Sequence, residues 1–312
     1  MLKYLVTGGA GFIGSNIAEK LLKSGNFVRV LDNFCSGTME NIKFASGKKN
    51  FELVRGDIRD KKTCAKACAG MDYVLHQAAL RSVPKSMKDP YSYNDVNING
   101  TLNMLYASKK AGVKKFVLAS SSSIYGDTDK FPQKETDIPR LIAPYALSKL
   151  AGEYYCRIFS ENFGLKTASL RYFNVFGPRQ ALDNEYAVVI PKFTDSIMND
   201  RKPPIFGNGL QSRDFTYVAN VVEANILAAK SKNSGEVFNV ACGKDTKVID
   251  LVKKLNKIFG KKIKPDFLPV RQGDVFRTLA ETRKIRKMLG FKGYYSFDDG
   301  LLETVKYFKS KK

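Results

Sequence analysis

The sequence predicts a doubly wound α/β protein whose parallel sheet is covered by helices on both faces. Three observations support this: short apolar runs alternate with helical stretches, most of these runs show no alternation of polar and apolar residues, and a glycine-rich turn joins the first run to a helix. With 312 residues, 44% of them hydrophobic, the chain can bury a sizeable core. We expect one large lobe and a smaller, interleaved C-terminal lobe.

The predicted strands are apolar runs bounded by turn-forming residues, as in strands buried on both faces. They are Leu2 to Val6, Phe27 to Leu31, Phe51 to Arg55, Met71 to His76, Phe116 to Ser120 and Lys166 to Arg171. A helix is predicted from Asn16 to Ser24. After about residue 175, Gly and Pro interrupt the pattern. We predict a nucleotide-binding domain over 1–175, with returning segments near 214–240, and a cap lobe that mainly binds substrate over 176–312.

The chain is strongly basic. It has 52 Lys and Arg against 30 Asp and Glu, a formal net charge of +22, which favours anionic partners such as nucleotides. The lysines are spread along the whole chain and no nucleic-acid motif accompanies them. We therefore predict a small anionic ligand and no nucleic-acid partner.

The location is predicted from the apolar runs and the cysteines. No run of 18 apolar residues exists, and Gly8 comes too early for a secretory signal. Five scattered cysteines suit reduced thiols. A cytoplasmic protein without membrane contact is expected. The single histidine, His76, leaves too few partners for a zinc site, so no metal is predicted.

A glycine-rich turn follows the first predicted strand directly. It reads Thr7-Gly8-Gly9-Ala10-Gly11-Phe12-Ile13-Gly14 and opens an amphipathic helix. Gly8 permits the tight turn, Gly11 lets the backbone approach a diphosphate, and Gly14 allows close packing of the helix. Because a helix N-terminus offers free N–H donors, we predict that this segment, with Phe12 and Ile13, binds the pyrophosphate of a dinucleotide.

The end of the second strand carries Asp32, about twenty residues beyond the glycine turn. A carboxylate in this place can accept hydrogen bonds from an adenosine ribose and would repel a 2′-phosphate. The residues that follow, Asn33 to Ser36, include no arginine to bind such a phosphate. We therefore predict NAD rather than NADP, with Asp32 and Asn33 at its adenosine end.

Tyr145 and Lys149 are candidate catalytic residues. They project from one face of a helix predicted to begin after Pro144, one turn apart. Ser121 lies where the strand Phe116 to Ser120 ends, and carboxyl ends of strands are where open α/β sheets bind ligands. We expect the three side chains to meet.

This trio suits proton transfer coupled to hydride transfer. Tyrosine, with a pKa near ~10, is a poor base at neutral pH, but a nearby ammonium and a nicotinium charge favour its phenolate. Tyr145 is predicted to remove a hydroxyl proton and Ser121 to hydrogen-bond the reacting oxygen. Lys149 is predicted to hold the nicotinamide ribose and to lower the pKa of Tyr145.

The chain resembles the extended short-chain dehydrogenases/reductases over essentially its whole length. The motifs that carry this resemblance are the glycine turn, Asp32, Gly56-Asp57-Ile58, His76-Gln77-Ala78-Ala79, Ser121 with Tyr145 and Lys149, and Arg171-Tyr172-Phe173-Asn174-Val175-Phe176-Gly177-Pro178. Within this superfamily it is most similar to the UDP-hexose 4-epimerases, especially those acting on UDP-N-acetylglucosamine. A Rossmann-type NAD-binding domain and a substrate-binding lobe are thereby implied.

The resemblance also implies ligand contacts. Asp57 and Ile58 would flank the adenine, and Ala78, Ala79 and Leu80 would pass the pyrophosphate and ribose. The residues implied on the UDP-sugar side are Ser82, Ser121, Ser122, Ser123, Tyr145, Asn174, Val189, Ile190, Arg213, Arg271, Asp274 and Thr278. Of these, Asn174 would bind the phosphates, Val189 and Ile190 would frame the uracil, Arg213 and Arg271 would clamp the diphosphate, and Asp274 would hold the uridine ribose.

Three departures from related sequences bear on the reaction and its substrate. Dehydratases and decarboxylases of the superfamily carry acidic residues after the first catalytic hydroxyl, where this chain has Ser122 and Ser123. Without a second acid or base, elimination is disfavoured and epimerisation through a 4-keto sugar is expected. Thr278 replaces the bulky tyrosine of epimerases restricted to plain hexoses, which leaves space for an N-acetyl group. Arg81 stands where related sequences often have a small residue.

The prediction is an NAD-dependent, homodimeric UDP-N-acetylglucosamine and UDP-glucose 4-epimerase. The dimer, formed through helices near residues 95–111 and 145–162, is implied by the resemblance. A UDP-glucuronate 4-epimerase, or one for an N-acetylated uronate, is an alternative that Arg81 would suit. A catalytically silent nucleotide-binding scaffold is the alternative from a different class. The intact Ser121, Tyr145 and Lys149 disfavour the scaffold.

Overall fold

The computed structural model describes residues 1–181, 189–270 and 275–311. Its strands are β1 (Lys3–Thr7), β2 (Phe27–Asp32), β3 (Phe51–Arg55), β4 (Tyr73–His76), β5 (Lys115–Ser121), β6 (Thr167–Tyr172), β7 (Val175–Phe176), β8 (Pro204–Phe206), β9 (Ser212–Arg213), β10 (Thr216–Tyr217), β11 (Glu236–Val240), β12 (Thr246–Lys247) and β13 (Asp266–Leu268). Its helices are α1 (Phe12–Lys23), α2 (Lys61–Cys68), α3 (Val83–Lys88), α4 (Pro90–Tyr93), α5 (Gly100–Lys110), α6 (Pro144–Asn162), α7 (Val189–Met198), α8 (Val218–Lys230), α9 (Val248–Phe259), α10 (Arg283–Leu289) and α11 (Phe297–Lys309). Short helical turns cover Glu40–Ala45, Asn94–Asn99 and Ser122–Tyr125.

Seven parallel strands form the central sheet, in the order β11-β6-β5-β4-β1-β2-β3. The chain runs outward from β1 to β3, returns to the other side of β1 as β4, and continues outward in the opposite direction. Connections therefore leave β1 and β4 in opposite directions, which opens a crevice beyond their carboxyl ends. The predicted doubly wound parallel sheet is confirmed.

Helices cover both faces of this sheet. On one face, α1, α8 and α10 pack with the sheet into a core that contains Ile17, Leu21, Val221 and Ile285. On the other face, α2, α5 and α6 pack around buried side chains that include Cys64, Cys68, Met104 and Phe159. Every strand of the sheet's middle is thus shielded on both sides, which explains why its sequence shows no alternation.

The predicted element boundaries differ from the structure mainly at α1. The helix begins at Phe12 and not at Asn16, because Gly11 is an extended N-cap residue (φ −79°, ψ 179°) that leads straight from the glycine turn into the helix. The predicted strands agree with the observed ones to within one or two residues at each end. Consequently the whole first turn of α1 lies at the crevice.

A second core belongs to the C-terminal part of the chain. It joins α7, α9 and α11 through buried residues that include Phe193, Leu251 and Leu301. Small two-stranded sheets complete this lobe: β9 pairs with β12, and β8 with β13. The strand β11 returns to the central sheet beside β6, within the segment predicted to return. The division into domains at residue 175 stays a prediction.

The described residues contain no helix long and apolar enough to cross a membrane. Within the same ranges, no group of three or more His, Cys, Asp and Glu side chains is arranged to hold a metal ion. The five cysteines are all free thiols, of which Cys35 is exposed.

A buried ion pair fastens α6 to the sheet. The Arg171 guanidinium on β6 donates to both carboxylate oxygens of Glu153, with N···O distances of 2.9 and 2.7 Å, and Ser120 on β5 donates to the same carboxylate. The two side chains are 4% and 5% exposed. Glu153 lies one turn beyond Lys149, so this pair sets where the candidate catalytic residues of α6 stand.

We predict that Glu153→Gln lowers the free energy of unfolding by about 3 kcal/mol, since it leaves a buried guanidinium without its counter-charge. Urea denaturation followed by circular dichroism measures the change. Glu161→Gln on the same helix is the matched control, because its pair with Arg157 is more than half exposed and contributes less than about 0.5 kcal/mol. Equal losses in the two variants would contradict this role of the buried pair.

Candidate active site

The turn between β1 and α1 is shaped by backbone contacts that only glycine permits. A Cβ atom on Gly14 would lie 2.2 Å from the carbonyl oxygen of Gly8, and one on Gly8 would lie 2.8 Å from the amide nitrogen of Ala78. A Cβ on Gly11 would meet only the Gly8 oxygen, at 3.2 Å, and would otherwise face open space. The first N–H groups of α1 therefore face the crevice, free to bind an anion.

The crevice contains a cavity of about 370 Å³ at the carboxyl ends of β1, β2, β4 and β5. All the residues predicted to bind the cofactor line it: Gly8, Gly11, Phe12, Ile13, Gly14, Asp32, Asn33, Asp57, Ile58, Ala78, Ala79, Leu80, Tyr145 and Lys149. The glycine turn in one part of the cavity and the carboxylates of Asp32 and Asp57 in another fit a dinucleotide with a diphosphate and an adenosine ribose. Their individual roles stay predictions.

The predicted adenosine end is organised around two carboxylates. Asp32 is buried and accepts from the amide N–H of Ala10 at 2.9 Å and from that of Phe34 at 2.8 Å, so it ties together the two loops that border the cavity. Asp57 accepts hydrogen bonds from Arg59 and Asn33. The side-chain hydrogen bond from Arg59 is the largest cause that lowers the pKa of Asp57 to about 2.

Arg55 at this end of the cavity was not predicted, because the search for an arginine covered only the residues that directly follow Asp32. In the sheet, Arg55 on β3 is in register with Asp32 on β2. Its guanidinium carbon lies 5.0 Å from the centroid of the Phe34 ring. Strand pairing brings Arg55 there across more than twenty residues of chain, so local sequence carried no signal for it.

Of the predicted catalytic trio, Tyr145 and Lys149 line the same cavity, and Ser121 lies beside Tyr145. Pro144 occupies the first turn of α6, where its fixed φ suits a helix start, and so Tyr145 and Lys149 share one face. The Nζ of Lys149 donates to the carbonyl oxygen of Ala119 at 2.9 Å and lies 5.9 Å from the centroid of the Tyr145 ring. Ser121, at the end of β5, hydrogen-bonds the Tyr145 phenol.

The pKa of Tyr145 is raised above its ordinary value. Burial is the largest cause, and it outweighs the hydrogen bond with Ser121 and the positive charge of Arg81, which both lower the pKa. That Lys149 and a nicotinium charge lower this pKa stays a prediction. Burial also lowers the pKa of Lys149 to about 8. A bound cation beside the phenol would act in the same direction as Arg81.

His76 is a structural residue. Its Nδ1 lies 2.8 Å from the Thr7 hydroxyl and its Nε2 lies 3.1 Å from the Thr101 hydroxyl. Burial, followed by the positive charge of Lys149, lowers its pKa to about 3, so the ring is neutral. These bonds hold the end of β4 against β1, beneath the segment that lines the cavity.

Comparison with known proteins identifies the family. The model of the NAD dependent epimerase/dehydratase family matches residues 4–241. The chain belongs to this family. The predicted recognition of an NAD-dependent extended short-chain dehydrogenase/reductase of the UDP-hexose 4-epimerase type is confirmed.

Individual members of the NAD-dependent epimerase/dehydratase family are similar over the full length. The putative UDP-glucose 4-epimerase of Methanocaldococcus jannaschii is 37% identical over 308 residues, 98% of each chain. The solved structure of the UDP-N-acetylglucosamine 4-epimerase of Methanobrevibacter ruminantium M1, in complex with UDP-N-acetylmuramic acid, is 40% identical, with a TM-score of 0.96 and coverage of 100% of this chain and 99% of that one. The UDP-glucuronic acid 4-epimerase of Bacillus cereus, in complex with UDP-glucuronic acid and NAD, is 33% identical, with a TM-score of 0.92 and full coverage of both chains.

On the substrate side, the structure brings Asn174, Arg213 and Thr278 together. Asn174 (φ +34°) donates from Nδ2 to the Thr278 hydroxyl at 2.9 Å, and the amide N–H of Asp214 donates to the same oxygen at 3.2 Å. The Arg213 guanidinium donates to the carbonyl oxygens of Ser212 and Phe276. Asn174, Arg213 and Thr278, which come from three distant segments of the chain, thus form one wall on the predicted substrate side.

The other residues predicted on the UDP-sugar side lie in separate elements of the structure. Val189 and Ile190 begin α7. Ser122 and Ser123 form the helical turn after β5, and the Ser123 hydroxyl is buried with no hydrogen-bond partner in the part of the chain that is described. Ser82 caps α3. Arg271 and Asp274 lie outside the described residues.

Asp214 is a residue of this wall to which sequence reasoning assigned no role. Its carboxylate accepts from the backbone N–H groups of Cys242, Gly243 and Ala280, and burial raises its pKa to about 7. It thereby joins the loop after β11 to the segment that carries Thr278. Its position directly after Arg213 in the sequence was the signal that could have pointed to it.

Proposed function

We propose that the protein is an NAD-dependent UDP-sugar 4-epimerase that interconverts UDP-N-acetylglucosamine and UDP-N-acetylgalactosamine, and also UDP-glucose and UDP-galactose. The observation that carries the proposal is that Tyr145, with Ser121 beside it, and Lys149 line the same cavity as every predicted NAD residue. Relatives that match over the full chain include UDP-sugar 4-epimerases, which supports it.

Each residue of the trio has a defined task in this reaction. Bound NAD supplies the hydride acceptor and donor for the sugar C4. The Tyr145 phenolate takes the proton of the 4-hydroxyl, and the phenol so formed later returns it, which makes Tyr145 the acid and base of both half-reactions. The Ser121 hydroxyl hydrogen-bonds the reacting oxygen, and Lys149, anchored on the Ala119 carbonyl, holds the nicotinamide ribose.

The absence of a further acid near the trio supports epimerisation over elimination. Among the described residues that line the cavity, the carboxylates are Asp32 and Asp57, and both lie at the predicted adenosine end. Ser122 and Ser123 stand beside Ser121 instead. Within the described ranges, then, no carboxylic acid lines the cavity near the trio to expel a second hydroxyl, so the keto sugar is left to turn over and to be reduced again.

We expect the purified protein, with no NAD added, to convert UDP-N-acetylglucosamine and UDP-glucose into their C4 epimers, because the cofactor is regenerated in every cycle. Chromatography of the UDP-sugars measures conversion. Tyr145→Phe should lower kcat at least about 100-fold, since it removes the acid and base. Tyr294→Phe, at an exposed tyrosine of the C-terminal part, is the control.

Two outcomes would sink the epimerase proposal. One is stoichiometric accumulation of NADH with either sugar, which marks a dehydrogenase. The other is unchanged turnover in Tyr145→Phe.

Thr278 is predicted to admit the N-acetyl group. Thr278→Tyr should suppress epimerisation of UDP-N-acetylglucosamine at least about 10-fold more than that of UDP-glucose, because the ring fills the acetyl space. Thr278→Val is the matched variant: it keeps the volume but removes the hydroxyl that accepts from Asn174, so it should affect both sugars alike. The ratio of kcat/KM for the two sugars is measured. Equal losses in Thr278→Tyr would refute the size argument.

We also propose that the enzyme is a homodimer joined through α5 and α6. An exposed apolar stripe supports this: Leu147, Tyr154 and Ile158 lie on one face of α6 and are 53%, 57% and 42% exposed. Tyr106 of α5, which is 48% exposed, adds to it. Such a stripe suits a helical interface between two copies.

Sedimentation velocity tests the homodimer. The wild-type protein should sediment at twice the 34.9 kDa chain mass, and Tyr154→Glu with Ile158→Glu should sediment as the single chain, since two charges would enter the interface. Tyr294→Glu, elsewhere on the surface, should stay dimeric. A wild-type monomer would contradict the assignment.

A further inference from the structure

A short helical turn, Ser122–Tyr125, follows the end of β5, where Ser121 lies. Within this turn, the amide N–H of Ser123 donates to the hydroxyl oxygen of Ser121 at 3.1 Å. The same hydroxyl hydrogen-bonds the Tyr145 phenol. Because the turn has only four residues, the groups that hold its far end also determine where the Ser121 hydroxyl stands.

Tyr125, at the far end of the turn, is 2% exposed. Its ring lies 4.9 Å, centroid to guanidinium carbon, from Arg171, and its centroid is 5.8 Å from that of the Phe173 ring. Its hydroxyl donates to Oδ1 of Asn239 on β11 at 2.6 Å. The ring contacts do not need the hydroxyl, so the hydrogen bond can be removed while the packing is kept.

Asn239 uses all the polar atoms of its side chain in hydrogen bonds and is 0% exposed. Besides the bond that Oδ1 accepts from Tyr125, Nδ2 donates to the carbonyl oxygens of Gln133 at 3.0 Å and Glu281 at 3.2 Å. Its backbone N–H donates to the Glu135 carboxylate at 2.8 Å. A buried amide with all its partners specifies one arrangement of the segments that it joins, since any other would leave buried polar groups unpaired.

The segment that ends at Glu281 carries Thr278, one of the three residues of the wall on the predicted substrate side. Gln133 pairs with this segment through its backbone. Its N–H donates to the Leu279 carbonyl at 2.7 Å, and its carbonyl accepts from the Glu281 N–H at 2.9 Å. Asn239, bonded to both Gln133 and Glu281, therefore connects the turn after β5 to the segment of that wall.

The support on which Asn239 stands belongs to the central sheet. In the pairing of β11 with β6, Asn239 is in register with Arg171. The guanidinium of Arg171 in turn holds Glu153 on α6, the helix that also carries Tyr145. The turn with Ser121 and the helix with Tyr145 are thus fixed to neighbouring points of the same two strands.

We propose that Tyr125 and Asn239 are a positioning pair, whose hydrogen bond sets the Ser121 hydroxyl relative to the wall that holds the UDP-sugar. The inference rests on the proposed 4-epimerase function. Neither side chain of the pair is among the described residues that line the cavity, so both act through other residues. Alignment matters because a displacement of about 1 Å between reacting groups can lower a rate about 100-fold.

Tyr125→Phe tests the pair, because it removes one hydroxyl and keeps the ring. Tyr4→Phe is the matched control: Tyr4 is 0% exposed, lies on β1 away from the carboxyl ends of the strands, and its hydroxyl has no hydrogen-bond partner among the described residues. Both variants delete a buried phenol hydroxyl, but only the first cuts the connection. The measurements are kcat and KM for UDP-N-acetylglucosamine and UDP-glucose, the Kd of UDP by calorimetry, and NAD bound per chain.

The expected result is a loss in kcat alone. Tyr125→Phe should lower kcat about 10-fold on both sugars, since misplaced groups transfer the proton and the hydride more slowly. KM and the Kd of UDP should change less than about 2-fold, because the change removes no group that is predicted to contact UDP. The NAD content should stay the same. Tyr4→Phe should keep kcat within about 2-fold of the wild type.

A double-mutant cycle shows whether the two side chains act as one unit. In an Asn239→Ala background, Tyr125→Phe should lower kcat by less than a further factor of about 2, because the hydrogen bond is already absent. Full additivity of the two losses would show that Tyr125 acts independently of Asn239. If Asn239→Ala does not fold, the comparison of Tyr125→Phe with Tyr4→Phe still decides.

Three kinetic results would overturn the proposal. They are an unchanged kcat in Tyr125→Phe, an equal loss in Tyr4→Phe, and a raised KM with kcat unchanged. The second would mark a general effect of deleting a buried hydroxyl, and the third would place the effect in UDP-sugar binding instead of alignment.

Hydrogen exchange followed by mass spectrometry separates this inference from the proposed function. If the wild type epimerises neither sugar, the 4-epimerase function fails. Peptides over 121–126 should nevertheless exchange faster in Tyr125→Phe than in the wild type and Tyr4→Phe, because the N–H groups of Ser123 and Gly126 bond within the turn that Tyr125 anchors. Equal exchange in the three proteins would rule out the positioning pair as well.

Discussion

The contact between Gly8 and Gly14 is the constraint on which the rest of the site depends. A side chain at Gly14 would run into the Gly8 carbonyl, so the first turn of α1 can lie against the end of β1 only because the Cβ atom is missing. This packing turns the N-terminus of α1 toward the crevice where the strand order reverses. The anion-binding groups, the buried Asp32 and the catalytic helix α6 all meet at that crevice.

Burial has opposite consequences for the groups in this crevice. It raises the pKa of Tyr145 and lowers that of Lys149, so that desolvation favours the neutral form of each residue. The buried pair of Glu153 and Arg171 fixes α6, and the negative charge of Glu153 opposes the effect of burial by raising the pKa of Lys149. Among the described residues, Arg81 opposes this effect at the phenol, because its positive charge lowers the pKa of Tyr145.

The parts of the site that were predictable are those written in short stretches of sequence. The glycine turn needs three glycines at fixed spacing after a strand, and Tyr145 and Lys149 need one helical turn. Other residues had no such signal: Arg55, which pairs in register with Asp32, and Asn97 and Tyr93, which hydrogen-bond the backbone N–H groups of Leu80 and Ser82. Strand pairing and helix packing bring these residues to the cavity from distant positions. The raised pKa of Tyr145 had no such signal either, because burial is its largest cause and burial depends on how distant segments pack.

By itself, then, the sequence determined the doubly wound fold, the family and the residue types of the cofactor and proton-transfer sites, because periodicity and spacing specify these locally. Only the tertiary structure decided how the residues share their bonds. It pairs the Asn174 amide with the Thr278 hydroxyl and anchors Lys149 on the Ala119 carbonyl. Among the residues that the structure describes, it gives Arg81 no hydrogen bond or ion pair. The physical reason is that hydrogen bonding and desolvation depend on which groups come within about 3 Å of one another, and chain order alone does not set those distances.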